Sequence, residues 1–188
     1  MSVRPWSTFY EGRVFSERYL TYAAKKYDPF IGAIRSRRKV GDKVVEVGCG
    51  IATITKIVSS DRPTFYAGYR CFDLSPDMVE LAEANLHPMD YPVQVADARL
   101  PIAQFYPDII HSHGMLEHFS DDDIKRVIEA GALSGARWGI HYVPGNKYKS
   151  PSFGDERLLP IEFWAVTFNP TEAFAFNEGH DYCLIWRY

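Results

Sequence analysis

Apolar and polar positions along this chain follow two alternating periods. Short apolar runs at 43–47, 66–72, 92–96, 107–112, 136–143 and 181–187 have the length of buried strands. Between them, apolar residues recur every three or four positions at 50–59, 75–87 and 121–133, which predicts amphipathic helices. Strand–helix alternation of this kind implies a mostly parallel sheet covered on both faces. The run Ala173-Phe174-Ala175-Phe176-Asn177 is the candidate for one more strand, and 160–168 for one more helix. Upstream, residues 1–10 read as irregular, and 11–26 carry Val14, Phe15, Tyr19, Leu20 and Tyr22 at near-helical spacing. Asp28-Pro29 predicts the start of a second helix, with Asp28 as cap and Pro29 in the first turn. That helix turns Phe30, Ile31 and Ile34 inward and ends before Gly41. No repeat or low-complexity tract interrupts this order. The expectation is a single domain over 1–188, with a helical cap at 1–40 and an α/β core at 41–188.

The first strand carries the chemistry. Val44-Val45-Glu46-Val47 runs into Gly48-Cys49-Gly50 and then into a helix. Glycine lets the backbone approach a ligand, and the helix points its free N–H groups at the same place. Asp73 closes the second strand, 23 residues beyond Gly50, where an acid can accept hydrogen bonds from both hydroxyls of a ribose. The dinucleotide fingerprint needs a third glycine near position 53, where this chain has Thr53. A ligand with a ribose and no pyrophosphate fits better.

Four stretches then fall in a telling order: Glu46-Val47-Gly48-Cys49-Gly50, Phe72-Asp73-Leu74-Ser75-Pro76-Asp77-Met78, Ala96-Asp97-Ala98, and Ser112-His113-Gly114-Met115-Leu116-Glu117-His118-Phe119. Together they resemble the class I S-adenosylmethionine (SAM) methyltransferases. The segment from Val143-Pro144-Gly145-Asn146 to Leu158-Leu159 resembles the stretch after the fifth strand in many small-molecule members. The resemblance implies a three-layer, Rossmann-like sandwich with a seven-stranded sheet in the order 3-2-1-4-5-7-6, its last strand antiparallel. It implies SAM as cofactor, S-adenosylhomocysteine as product, and a cofactor site at Gly48, Cys49, Gly50, Asp73, Leu74, Met78, Asp97, Ala98 and His113. Asp97 would accept from the adenine amine, and the Ala98 N–H would meet a ring nitrogen. Leu74 and Met78 offer apolar surface to the flat ring.

Other residues can be weighed on their own chemistry. Glu46 interrupts an apolar strand, and a buried carboxylate requires a partner. It is expected to fix the glycine loop or the amino group of the ligand. Glu117 and His118 are candidates for acid–base work, since a free imidazole titrates near pH 6.5. The resemblance puts His141 and Tyr142 on the acceptor side and lays Asp155 and Glu156 over the acceptor pocket. His111, His113 and His118 with Glu117 could ligate a metal. Some related O-methyltransferases hold a cation through Glu-x-x-Glu-His, but here the first acid is missing, so no metal is expected.

Bulk properties narrow the alternatives. The net charge of −3 gives no global reason to bind nucleic acid. The basic run Arg35-Ser36-Arg37-Arg38-Lys39 reads as a solvated helix C-terminus. Three cysteines, Cys49, Cys71 and Cys183, form no disulfide framework. With no signal peptide and no apolar run of 18 residues, the cytoplasm is the expected compartment, and no membrane partner is expected. Methyl transfer to an O or N atom of a small molecule is the leading expectation. A nucleic-acid or protein methyltransferase, a SAM-binding regulatory subunit without activity, and a metal hydrolase built on the histidines are the competitors. The aromatic N-terminal segment, with Trp6, Phe9, Tyr10, Phe15, Tyr19 and Tyr22, is the expected lid.

Overall fold

The computed structural model describes residues 6–10, 16–60, 68–151 and 155–188. Seven strands form one sheet: β1 (Lys43–Val47), β2 (Gly68–Asp73), β3 (Val93–Val95), β4 (Ile109–His113), β5 (Trp138–Pro144), β6 (Glu172–Phe176) and β7 (Asp181–Arg187). Their order is β3-β2-β1-β4-β5-β7-β6. The first five strands are parallel, and β7 runs antiparallel to both β5 and β6. This is the three-layer sandwich that the sequence predicts. The chain begins at β1, winds outward through β2 and β3, and returns to β4 on the other side of β1. The crevice beyond the ends of β1 and β4 is therefore a topological switch point, where ligands of open α/β sheets bind.

Two apolar layers clamp the sheet. On one face, Phe30, Ile31 and Ile34 of α3 (Asp28–Arg37) join Ile54 and Val58 of α4 (Thr53–Ser60) over Val44, Ile109 and Ile140. On the other, Ile124 and Val127 of α6 (Asp121–Leu133) join Trp164 and Phe168 of α7 (Ile161–Phe168) over Val45, Ile110 and Leu184. Helix α5 (Pro76–Leu86) packs Ala82 and Leu86 against Cys71 and Val93 at the β3 edge. The strands alternate faces with period two, so neighbours in sequence serve opposite layers.

Some boundaries differ from the pattern reading, each for a local reason. Gly48, Ala52 and Gly50 all take positive φ (60°, 55° and 52°), so α4 cannot start at 50 and begins at Thr53. Asp28 is the first residue of α3, and Tyr27 stands at the cap position without a side-chain cap bond. Residues 16–26 match the expected helix as α2 (Glu17–Lys26), where Ser16 accepts from the Tyr19 N–H. The stretch 1–10 is not wholly irregular: Trp6–Tyr10 forms the short helix α1, which places Trp6, Phe9 and Tyr10 against one another. The expected features at 11–15, 66–67 and 152–154, Phe15 and Gly154 among them, lie outside the described residues.

The basic run is not a free patch. One terminal nitrogen of Arg37 donates to both Glu172 oxygens at 2.6 Å and the other to the Ala33 carbonyl at 3.3 Å, while Arg38 donates to the Val58 carbonyl at 3.1 Å and to the Tyr69 hydroxyl. These cations tie α3 to β6 and α4 instead of standing in solvent. Among the described residues, no helix is long and apolar enough to cross a membrane.

Candidate active site

Two cavities meet at the switch point. The first, about 280 Å³, is lined by the glycine turn, the end of β2 and the loop after β3. The second, about 250 Å³, lies between the ends of β4 and β5 and helix α2. Trp6, Tyr10, His113, Gly114 and His118 line both, so the cavities join there.

The first cavity is built by the backbone. A Cβ on Gly48 would stand 2.5 Å from the Met115 sulfur, and one on Gly50 would stand 2.8 Å from the Tyr10 hydroxyl. With positive φ as well, both positions require glycine. Asp73 fixes the turn: one oxygen accepts from the Gly50 N–H at 2.8 Å, the other from the Ser75 N–H at 3.0 Å. Burial raises its pKa above the ordinary carboxylate value, against the lowering by those N–H groups. A carboxylate offers about four acceptor sites, so two are left for hydroxyls. Leu74 and Met78 supply apolar lining, with Ala96, Ala98 and Phe119. Asp97 is held by Arg99, whose Nε and terminal nitrogen reach its two oxygens at 2.9 and 2.7 Å. That hydrogen-bonded pair keeps the Asp97 carboxyl below its ordinary pKa.

The second cavity is aromatic and acidic. Phe9, Tyr19, Tyr22, Tyr27, Tyr142 and Tyr148 line it, together with Lys26, Glu46, Glu117 and Glu156. The His113 ring stacks on Tyr142 at 4.4 Å, and Tyr27 meets His113 edge-on at 4.2 Å. Tyr142 and Tyr148 both donate to one oxygen of buried Asp181, at 2.7 and 2.8 Å. Glu117 is 2 % exposed, and one of its oxygens is buried with no hydrogen-bond partner. Desolvation pushes its pKa up to about 8, helped by Glu156 and Asp155. Glu46 is 2 % exposed and accepts from the Thr55 N–H at 3.0 Å, which caps the first turn of α4. Burial pushes it to about 7 despite that bond.

The roof over β4 is stapled by charge. Nδ1 of His118 lies 2.7 Å from an Asp155 oxygen, and Trp6 packs edge-on against the His118 ring at 4.9 Å. Arg157 donates to the Phe119 carbonyl at 2.7 Å and to Asp121 at 2.6 Å, while its N–H reaches the Glu117 carbonyl at 2.9 Å.

The family model described as a methyltransferase domain matches residues 44–132, the stretch from β1 to the end of α6. Over that stretch the chain is similar to the methyltransferase domain family. A SAM-dependent methyltransferase from Clostridium acetobutylicum ATCC 824 is similar in fold, with a TM-score of 0.68 at 13% identity over 87% of this chain and 91% of that one. A SAM-dependent methyltransferase from Aquifex aeolicus gives 0.67 at 10% identity, over 91% and 97%. The structure of a complex between the Haloferax volcanii Trm112 methyltransferase activator and a methyltransferase gives 0.73 at 14% identity, over 99% of both chains. No curated protein matches the sequence.

The residues present fit SAM, the cofactor that the methyltransferase resemblance implies. The glycine cradle, the carboxylate of Asp73 with acceptor sites to spare, and the apolar lining from Leu74, Met78 and Phe119 suit a ribose and a flat base. Eight of the expected cofactor residues line the first cavity: Gly48, Gly50, Asp73, Leu74, Met78, Asp97, Ala98 and His113. Glu46 and Cys49 line the second instead. Of the residues expected on the acceptor side, Tyr142 and Glu156 line the second cavity, as does Glu117, while Asp155 reaches it only through His118. His141 lines neither. It points to the opposite face, hydrogen-bonded to Ser112 at 2.8 Å and edge-on to Trp186. The alternation of β5 requires this once Tyr142 faces the cavity. Among the described residues, no three His, Cys, Asp or Glu side chains converge as a metal site.

Sequence reasoning missed Met115 and Phe119 in the first cavity, and Tyr27, Tyr148 and Lys26 in the second. Met115 and Phe119 sit inside a motif already singled out, so the apolar residues after β4 were a usable signal. Tyr148 lies in a loop, where period carries no information.

Proposed function

We propose that this chain transfers the methyl group of SAM to an O or N atom of a small molecule. The observation that carries the proposal is the pair of joined cavities, one shaped for the cofactor and one of about 250 Å³ beside it. When bound, SAM supplies an electrophilic methyl group on a sulfonium sulfur. The protein's part is to bind, orient and exclude water. Gly48, Gly50, Asp73, Leu74, Met78, Asp97 and Ala98 hold the cofactor. Helix α1 closes both cavities, with Tyr10 over the glycine turn and Trp6 against His118. Glu117 and His118 stand on the acceptor side to take the proton that an attacking hydroxyl or amine must lose. Asp155 on Nδ1 of His118 orients the ring and leaves its other nitrogen for the acceptor.

A larger acceptor is the second reading. A small RNA methyltransferase, HEN1, shares the fold at TM-score 0.72 and 15% identity, this chain spanning 26% of its length. Against it stands the basic run, whose Arg37 and Arg38 are bonded within the fold. The deciding experiment supplies labelled SAM with a cell extract divided into small molecules, RNA and protein. The proposal expects label in the small-molecule fraction. Label confined to RNA or protein would overturn it. Binding of S-adenosylhomocysteine without transfer to any fraction would favour a regulatory subunit.

A further inference from the structure

We infer that the second cavity is a site for an organic ammonium ion, so that the acceptor is an amine carried on an apolar body. This rests on the methyltransferase reading and names its substrate class. The cavity presents ring faces and hydrogen-bond acceptors. The hydroxyl protons of Tyr142 and Tyr148 are both spent on Asp181, so their oxygens can only accept. The Glu117 oxygen without a partner is buried at the wall and needs a donor. An ammonium ion brings three donors and a positive charge, which meets both demands at once.

The walls already hold such a group. The Lys26 ammonium lies 5.1 Å from the Tyr27 ring centre and 5.6 Å from that of Tyr148, within the range of cation–π attraction. Among the described residues lining the cavity, Lys26 is the only lysine or arginine, set against Glu46, Glu117 and Glu156. A carboxylate or phosphate ligand would meet this excess of acids and find a single cation. A neutral ring would pack against the tyrosines and gain nothing from the charge. The raised pKa of Glu117 agrees: the carboxyl lacks the cation that would hold it ionised.

The test is calorimetric titration with three ligands of one shape: phenethylamine, phenethyl alcohol and hydrocinnamate. Each is run with and without S-adenosylhomocysteine. The amine is expected to bind at least about tenfold tighter than the alcohol or the acid. Glu117→Gln should weaken the amine about tenfold and leave the alcohol within about twofold. Lys26→Gln, at a half-buried position, should tighten the amine several-fold by removing the competing charge. The inference is overturned if the amine binds no tighter than its isosteres in both series, or if both substitutions leave its affinity unchanged. Failure of S-adenosylhomocysteine to bind counts against the methyltransferase reading instead, whatever the amine does.

Discussion

Replacing Glu117 by glutamine should stabilise the protein, and only at high pH. The carboxyl is buried with one oxygen unpartnered, and its pKa rises from the ordinary 4.5 to about 8. The folded state therefore binds this proton more tightly than the unfolded chain. The associated stability is fully present below pH 4.5 and is lost as pH rises through 8. At about 1.4 kcal/mol per pKa unit, the ionised unfolded state gains up to about 4 kcal/mol by pH 8. Glutamine keeps the shape and does not titrate. At about 2–4 °C per kcal/mol for a chain of this size, the variant's melting temperature should exceed wild type by about 10 °C at pH 8. At pH 5 the two should agree within about 3 °C, because Glu117 is then neutral in the fold. Thermal unfolding followed by circular dichroism at pH 5, 6.5 and 8 makes the comparison. Parallel pH profiles for the two proteins would refute the reasoning, since the carboxyl would then be solvated or paired.

Other outcomes follow from the same geometry. Gly48→Ala should destabilise the chain by about 1–3 kcal/mol and abolish S-adenosylhomocysteine binding, because a Cβ there sits 2.5 Å from the Met115 sulfur at φ +60°. Urea unfolding and calorimetry read the two effects. His111 and His141 are buried and His113 is half-buried at the cavity wall, and desolvation lowers each to about 3. Their depressed values favour folding above pH 6.5, and that stability is lost as pH falls toward 3. Glu46 and Glu117 oppose this over the same range, leaving a net loss of roughly 2 kcal/mol between pH 6.5 and 4.5 in urea titrations. Arg99→Ala should release Asp97 from its ion pair and change the preference between adenine and guanine analogues of S-adenosylhomocysteine, measured by competition.

The strands and most helices were legible because burial on both faces writes continuous apolar runs, and one-sided burial writes a 3.6-residue period. The glycine turn and Asp73 were legible for a related reason: backbone approach and a strand-end acid admit few residue types. What stayed hidden depends on distant partners. That Arg99 turns back to claim Asp97, and that Glu46 caps α4 through Thr55, are tertiary facts with no local period. His141 and Tyr142 are adjacent, and without the register of β5 nothing said which one faces the ligand. The start of α4 was misplaced because Ala52 adopts a left-handed conformation that its residue type does not announce. The wall of Tyr27 and Tyr148 comes from a helix cap and a loop, brought together by Asp181 and the end of α2.

The central claim is that the cavity at the glycine turn holds SAM through Asp73. Calorimetric titration of the metal-free protein with S-adenosylhomocysteine, beside Asp73→Ala, tests it most directly. The account predicts micromolar binding to wild type and its loss in the variant, with the Gly50 and Ser75 N–H groups also released. No binding to wild type, or equal binding to the variant, would contradict it.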